Sequence, residues 1–164
     1  MDHHTIEIFN YLRPRDYNKQ IAVSDKSGEV DLYFYHDRSA INTLSKETFE
    51  FKGGKSFDIK KIKSETLNSI IENSPFKDNK IDFLSIDVEG YEMNVLKGFD
   101  IKKYQPKIIV LEFLDNTLKK QEFYNQNIEK VINSTIYKFL SLNDYSFVNW
   151  FGSDLIFVNN NIRD

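Results

Sequence analysis

The sequence predicts an α/β fold that ends in an antiparallel strand pair, and three observations carry the prediction. Residues 81–88 and 106–114 are near-continuous apolar runs, and residues 91–97 between them have helical spacing. A helical stripe follows, with Ile128, Val131, Ile132, Thr135, Ile136, Phe139 and Leu140 on one face. Two strand-like segments, 145–150 and 154–158, then flank a Gly152-Ser153 turn. Apolar runs separated by a helix read as strands buried on both faces of a parallel sheet, because the crossover helices cover it. The order strand, helix, strand, helix, hairpin therefore calls for an α/β sheet with an antiparallel end. At ~150 residues per domain, a chain of 164 residues is one domain, 1–164. Its apolar fraction of 40%, with Phe 14 and Tyr 9, is volume enough for a packed core and excludes disorder of the whole.

The earlier elements follow in order. In residues 5–12, Ile6, Phe9 and Leu12 recur at helical spacing until Pro14 stops the pattern. Residues 20–24 are a short apolar run that reads as a strand, and 25–28 (Asp-Lys-Ser-Gly) as a turn. Residues 29–36 alternate and are aromatic-rich, as suits a strand with one wetter face; sheet packing accounts for Tyr33-Phe34-Tyr35 better than a stacking platform does. Residues 39–44 make a further short extended piece. Gly53-Gly54 reads as a hairpin turn between alternating segments, since neither P-loop spacing nor an apolar helix follows it. Residues 57–62 alternate again, and Ser64 caps a short helix carrying Leu67, Ile70 and Ile71, which Asn73-Ser74-Pro75 ends. The chain shows no internal repeat and no low-complexity tract.

Charge and composition narrow the function classes. Lys plus Arg number 22 against 25 Asp plus Glu, a formal charge of −3, so nothing points to nucleic acid or an anionic membrane. Without cysteine there is no disulfide scaffold, thiolate zinc site or cysteine nucleophile. Residues 1–5 are polar and no apolar run approaches ~18 residues, so neither a signal peptide nor a membrane span is expected and the protein reads as cytoplasmic.

Carboxylates mark the candidate site. In an open α/β sheet the ligand crevice lies beyond the carboxyl ends of the parallel strands. Asp87 ends one apolar run, and Glu112 stands near the same end of the next. If the strands are neighbours ~4.8 Å apart, the two carboxyl groups share one rim. Glu89 lies on the following loop and Glu92 begins the helix. Clustered carboxylates raise one another's proton affinity, which serves a general base and also suits a divalent cation. Plainer readings exist: the helix dipole favours Glu92 where it stands, and Glu89 can simply solvate a turn. Asp87 and Glu112 are harder to dismiss, since a carboxylate ending an apolar strand must otherwise be desolvated. His3, His4 and His36 read as solvated side chains, and Ser24 and Ser85 lack the Gly-x-Ser-x-Gly context of a nucleophile.

The stretch Ile81-Asp82-Phe83-Leu84-Ser85-Ile86-Asp87-Val88-Glu89-Gly90-Tyr91-Glu92, continued by Val95-Leu96-Lys97-Gly98 and by residues 106–112, closely resembles the FkbM family of S-adenosylmethionine-dependent methyltransferases. That family's signature is an Asp-x-Glu-Gly-x-Glu segment, a Leu-Lys-Gly turn and a strand ending in Glu. Residues 22–28 and Asn42-Thr43-Leu44 are similar to the family's central region, and the resemblance covers roughly residues 21–158. It implies a Rossmann-like class I methyltransferase sheet, mostly parallel with a C-terminal antiparallel hairpin. It also implies S-adenosylmethionine as cofactor and O-methylation of a small-molecule or sugar hydroxyl. By resemblance, Asp87 takes the acceptor-side role and stands near the cofactor, Glu89, Glu92 and Glu112 support it, and Ala22 and Val23 lie near the adenine. No metal is assigned.

The chain departs from the family at its start. None of its 6 glycines forms the glycine-rich turn that lets backbone approach the cofactor, and the Thr5 helix matches the helix after the family's second strand, so the expectation is the C-terminal portion of the domain without its first two strands: a fragment, a chain completed by another, or a rearranged sheet. The expectation is that this chain alone binds S-adenosylmethionine weakly or not at all. A sheet without those strands exposes open edges, through which copies of the chain can pair. The rival readings are a non-catalytic remnant acting as a dimerising structural or binding subunit, and a carboxylate-metal enzyme unrelated to methylation.

Overall fold

The computed structural model describes residues 3–36, 39–52, 58–114 and 126–162. Helix α1 (His3–Leu12) ends just ahead of Pro14, which cannot donate to a helical carbonyl. Ile6 of α1 is buried but Leu12 is 68% exposed, so only part of the expected stripe meets the molecule. Strands β1 (Ala22–Val23), β2 (Gly28–Phe34) and β3 (Asp58–Glu65) form one sheet in the order β1-β3-β2. β1 runs parallel to β3, and β2 antiparallel to it, with Gly28 opposite Ser64.

Three local expectations change here. Residues 39–44 contribute a single bridge, Tyr33 to Thr43, rather than a strand. Helix α2 (Lys46–Phe51) stands where one arm of a hairpin was expected, because the Ser45 side chain accepts the Thr48 N–H and starts a helical turn. Gly53-Gly54 lies outside the described residues, and β3 reaches β2 across α2. Helix α3 (Leu67–Glu72) is capped by Thr66, not Ser64, whose hydroxyl instead donates to the Lys26 carbonyl from within β3.

The second sheet has the order β4-β5-β7-β6, from β4 (Phe83–Ile86), β5 (Ile108–Glu112), β6 (Tyr145–Phe151) and β7 (Asp154–Asn159). Only β4 and β5 are parallel; β7 runs antiparallel to both β5 and β6. The expected mostly parallel sheet is thus corrected to mixed sheets of three and four strands. The reason is local: Gly152, at φ 61, closes a tight hairpin that forces β6 and β7 antiparallel, and β7 is the arm that inserts beside β5.

The core covers one face of this sheet. Ile109 pairs with Phe157 and Leu111 with Leu155, and all four side chains are fully buried. Against them pack Val95 and Leu96 of α4 (Glu92–Lys97), Ile101 of α5 (Ile101–Tyr104), Val131 of α6 (Ile128–Asn133) and Leu140 of α7 (Thr135–Ser141). Each such side chain contributes ~1.5–3 kcal/mol through burial. The opposite face is less covered: β5 alternates buried with half-buried residues, and Phe83 of the edge strand β4 is 57% exposed. The two apolar runs are therefore not buried on both faces. The predicted long helix is also two, because Ser134 leaves the helical conformation at ψ 156, accepts the Tyr137 N–H and donates to the Val131 carbonyl. Of the stripe, Val131, Ile136 and Leu140 are buried while Ile128 and Ile132 are exposed.

Candidate functional site: a carboxylate cluster at two strand ends

The last pair between the parallel strands β4 and β5 is Ile86 with Leu111. One residue further on, Asp87 and Glu112 stand side by side, on strands ~4.8 Å apart. The chain then bends through two consecutive left-handed residues, Glu89 (φ 55) and Gly90 (φ 89). That corner swings Glu89 back over the strand ends. Side-chain oxygens of Asp87, Glu89 and Glu112 lie within 4.8 Å of one another. The parallel register brought together the first two; the strained corner added the third.

A non-glycine residue in the left-handed region persists only when its surroundings hold it there. Here they do so from several sides. The Thr43 hydroxyl, in a side chain only 2% exposed, donates to the Glu89 carbonyl at 2.6 Å. Lys52 Nζ meets Glu89 Oε2 at 2.6 Å. Fully buried Thr48 leaves no room for a side chain at position 90, since a Cβ there would lie 2.1 Å from its Oγ1. From below, Glu92 Oε1 accepts the N–H groups of Val88 at 3.2 Å and Gly90 at 3.1 Å. Glu92 is almost wholly buried, and burial raises its pKa against the opposing pull of those amide bonds. Its carboxylate thus ties the loop backbone together.

Glu112 is the most perturbed carboxyl of the cluster. Burial first, then the charges of Glu89, Asp87 and Glu92, push its pKa up to about 8, while Lys52 pulls it down. Its Oε2 is buried with no hydrogen-bond partner. Three carboxylates at this spacing, one with an orphaned oxygen, have the geometry and charge to receive a cationic group.

The expected adenine-side residues stand nearby but not in the cluster. Ala22 and Val23 form β1, and the next residue, Ser24, is fully buried with its hydroxyl 3.4 Å from that of Tyr91. Gly98 closes the other side, for a Cβ there would lie 2.3 Å from the Ser24 carbonyl oxygen. The end of β1 is thereby docked between the 89–91 corner and the C-terminus of α4. A cavity of about 450 Å³ opens at the Gly90-Tyr91 corner, walled by Glu92, Met93, Asn94, Phe113 and Thr135 among others; Glu92 reaches it, whereas Asp87, Glu89 and Glu112 do not line it. Its walls begin one residue after Glu89 and after Glu112. Trp150 backs Phe113 edge-on at 5.8 Å. Ser85 lies exposed on β4, and His4 and His36 are exposed as expected.

Of the four carboxylates singled out from the sequence, the structure brings Asp87, Glu89 and Glu112 together and sets Glu92 on the loop amides, while the contacts of Thr43, Thr48 and Lys52 with this corner were not anticipated. Only Thr43 carried a signal, as part of the Asn42-Thr43-Leu44 likeness. Lys52 is a lone lysine beside the two glycines, with nothing in its spacing to tie it to a corner 37 residues later.

Carboxylates gathered where two parallel strands end stand at the place where open α/β sheets form their ligand crevices. The chain belongs to the FkbM methyltransferase family: the family model of the methyltransferase FkbM domain matches residues 3–146, from α1 to the start of β6. No curated protein and no solved structure matches it. No helix among the described residues is long and apolar enough to cross a membrane.

Proposed function

We propose that this methyltransferase is cytoplasmic, uses S-adenosylmethionine, and methylates a hydroxyl of a small molecule or sugar on a Rossmann-like frame. The observation that carries the reading is the meeting of Asp87, Glu89 and Glu112 at the ends of β4 and β5. When bound, S-adenosylmethionine supplies a methyl group activated by a positively charged sulfur. The cluster fits that charge through Asp87 and Glu89, while Glu112, its pKa pushed up to about 8, adds little negative charge near neutral pH. The adenosine fit is poorer, as no glycine-rich turn is present.

The chain's own groups then divide the work. An attacking hydroxyl must lose its proton as it forms the new bond, and Asp87, the most exposed of the three carboxylates, takes that proton. Glu89, locked by Thr43 and Lys52, holds negative charge in a fixed place. Preorganised charge of this kind stabilises a cationic centre without reorganisation cost. The cavity beside the corner holds the acceptor, with Phe113 and Met93 against its apolar surface and Asn94 and Thr135 against its hydroxyls.

Protein-observed NMR with titrated S-adenosylmethionine tests the reading, because it registers weak binding. Shifts are expected at residues 87–91, Glu112, Ala22 and Val23, with low affinity for this chain alone, and Asp87→Asn is expected to abolish turnover of any acceptor found. No perturbation at those residues at saturating cofactor, with no demethylated cofactor released, overturns it.

A further inference from the structure

We propose that Glu92 is a binding residue for the molecule to be methylated. Held on the loop amides through Oε1, it offers its other oxygen to the cavity, accepts a hydrogen bond from a hydroxyl there and turns anionic molecules away. The inference rests on the reading of this cavity as the acceptor pocket. Asp87, Glu89 and Glu112 do not line the cavity, whereas Glu92 does.

Glu92 is 3% exposed and is the one acidic or basic side chain that is buried among the described residues. Taking a carboxylate out of water is costly, so one that stays buried needs hydrogen bonds on both oxygens. Oε1 has them from the Val88 and Gly90 N–H groups. No hydrogen bond joins Oε2 to another described residue. Tying the loop together takes only one oxygen; the second is left for whatever enters the cavity. Other polar groups of the wall are already engaged. The Ser45 hydroxyl accepts the Thr48 N–H, and the Ser134 hydroxyl both accepts the Tyr137 N–H and donates to the Val131 carbonyl. Lys46 also stands on the wall, but it is 74% exposed and turned to Glu50 at 3.7 Å, so solvent screens it. Phe113 and Met93 supply apolar surface. An apolar wall beside a buried carboxylate suits a neutral molecule that donates a hydrogen bond, and a carboxylate or phosphate entering there would meet like charge.

The test titrates the full chain with benzyl alcohol and with benzoate, the same ring carrying a hydroxyl or a carboxylate. Binding is read by NMR at the isotope-labelled methyl of Met93, one of 2 methionines in the chain and itself on the cavity wall. Benzyl alcohol is expected to shift that signal, and benzoate to bind at least about tenfold more weakly, the size of effect a hydrogen bond to a charged group carries. Glu92→Gln keeps a carbonyl for the loop amides. It is expected to weaken benzyl alcohol about tenfold and to admit benzoate more readily than wild type does. A Glu92 that only braces the loop would weaken both probes together, and that outcome overturns the inference. So does wild type that binds the two alike, or a Met93 methyl that neither probe moves. The wild-type comparison needs no variant and decides the matter where Glu92→Gln does not fold. The measurement uses neither S-adenosylmethionine nor turnover, so failure of the methyl-transfer reading remains a separate result.

Discussion

Glu112 holds a proton in the folded chain that it releases when unfolded near neutral pH. Its pKa is raised above the ordinary carboxyl value of 4.5 to about 8, chiefly by burial. The stability linked to that proton is complete below the unfolded value and is lost as pH rises through about 8. The melting temperature should therefore fall as pH rises between those limits, and Glu112→Gln should flatten the fall. Thermal unfolding at stepped pH decides it, and an identical slope in the variant contradicts the account. At Gly90, alanine would meet Thr48 Oγ1 and a disfavoured φ, so a loss of about 2 kcal/mol or more is expected in urea unfolding. Adding Thr48→Ala should return the steric share of that loss. If the double variant is no better than the single, the contact is not what excludes a side chain there. Asp87 and Glu112 were legible because they interrupt apolar runs at strand ends. Thr43, Thr48 and Lys52 were not, because their partner is a backbone corner that the local sequence does not encode.

Elements were legible where one periodicity ruled a whole segment. β4, β5 and the β6–β7 hairpin stand where their apolar patterns predicted. The stripe from Ile128 to Leu140 misled because helical spacing continues across Ser134 while the backbone does not. Ser134 caps α7, so Ser134→Ala should cost ~1 kcal/mol, measured by chemical denaturation. Joining the two helices into one would instead give a neutral or stabilising result. α2 was missed for the opposite reason: six residues are too few to show a period, and a single hydroxyl cap decides their conformation. The docking of β1 depends on Gly98, where a Cβ would strike the Ser24 backbone. Gly98→Ala should accordingly weaken S-adenosylmethionine-induced shifts at Ala22 and Val23 in the NMR titration while leaving the β4–β5 pairing signals in place.

At the scale of the molecule, β4 is the end strand of its sheet, with unpaired edge groups and an exposed Phe83 among the described residues. Such an edge recruits a further strand unless it is covered. We propose that copies of the chain associate through it. Sedimentation velocity should show mass rising with concentration, and Phe83→Lys should suppress it, because a lysine on an edge strand discourages pairing. A chain that stays monomeric throughout rules the pairing out. What the sequence alone determined was the α/β class, the strand-end carboxylates and the family, since each is written in contiguous residues through apolar period or a composite motif. Only the tertiary structure decided that the strands divide into two mixed sheets, that Glu89 turns back onto Asp87 and Glu112, and that Lys52 pairs with Glu89 there. Those outcomes depend on contacts between segments dozens of residues apart, and no local pattern specifies which distant side chain will satisfy a buried charge or a strained corner.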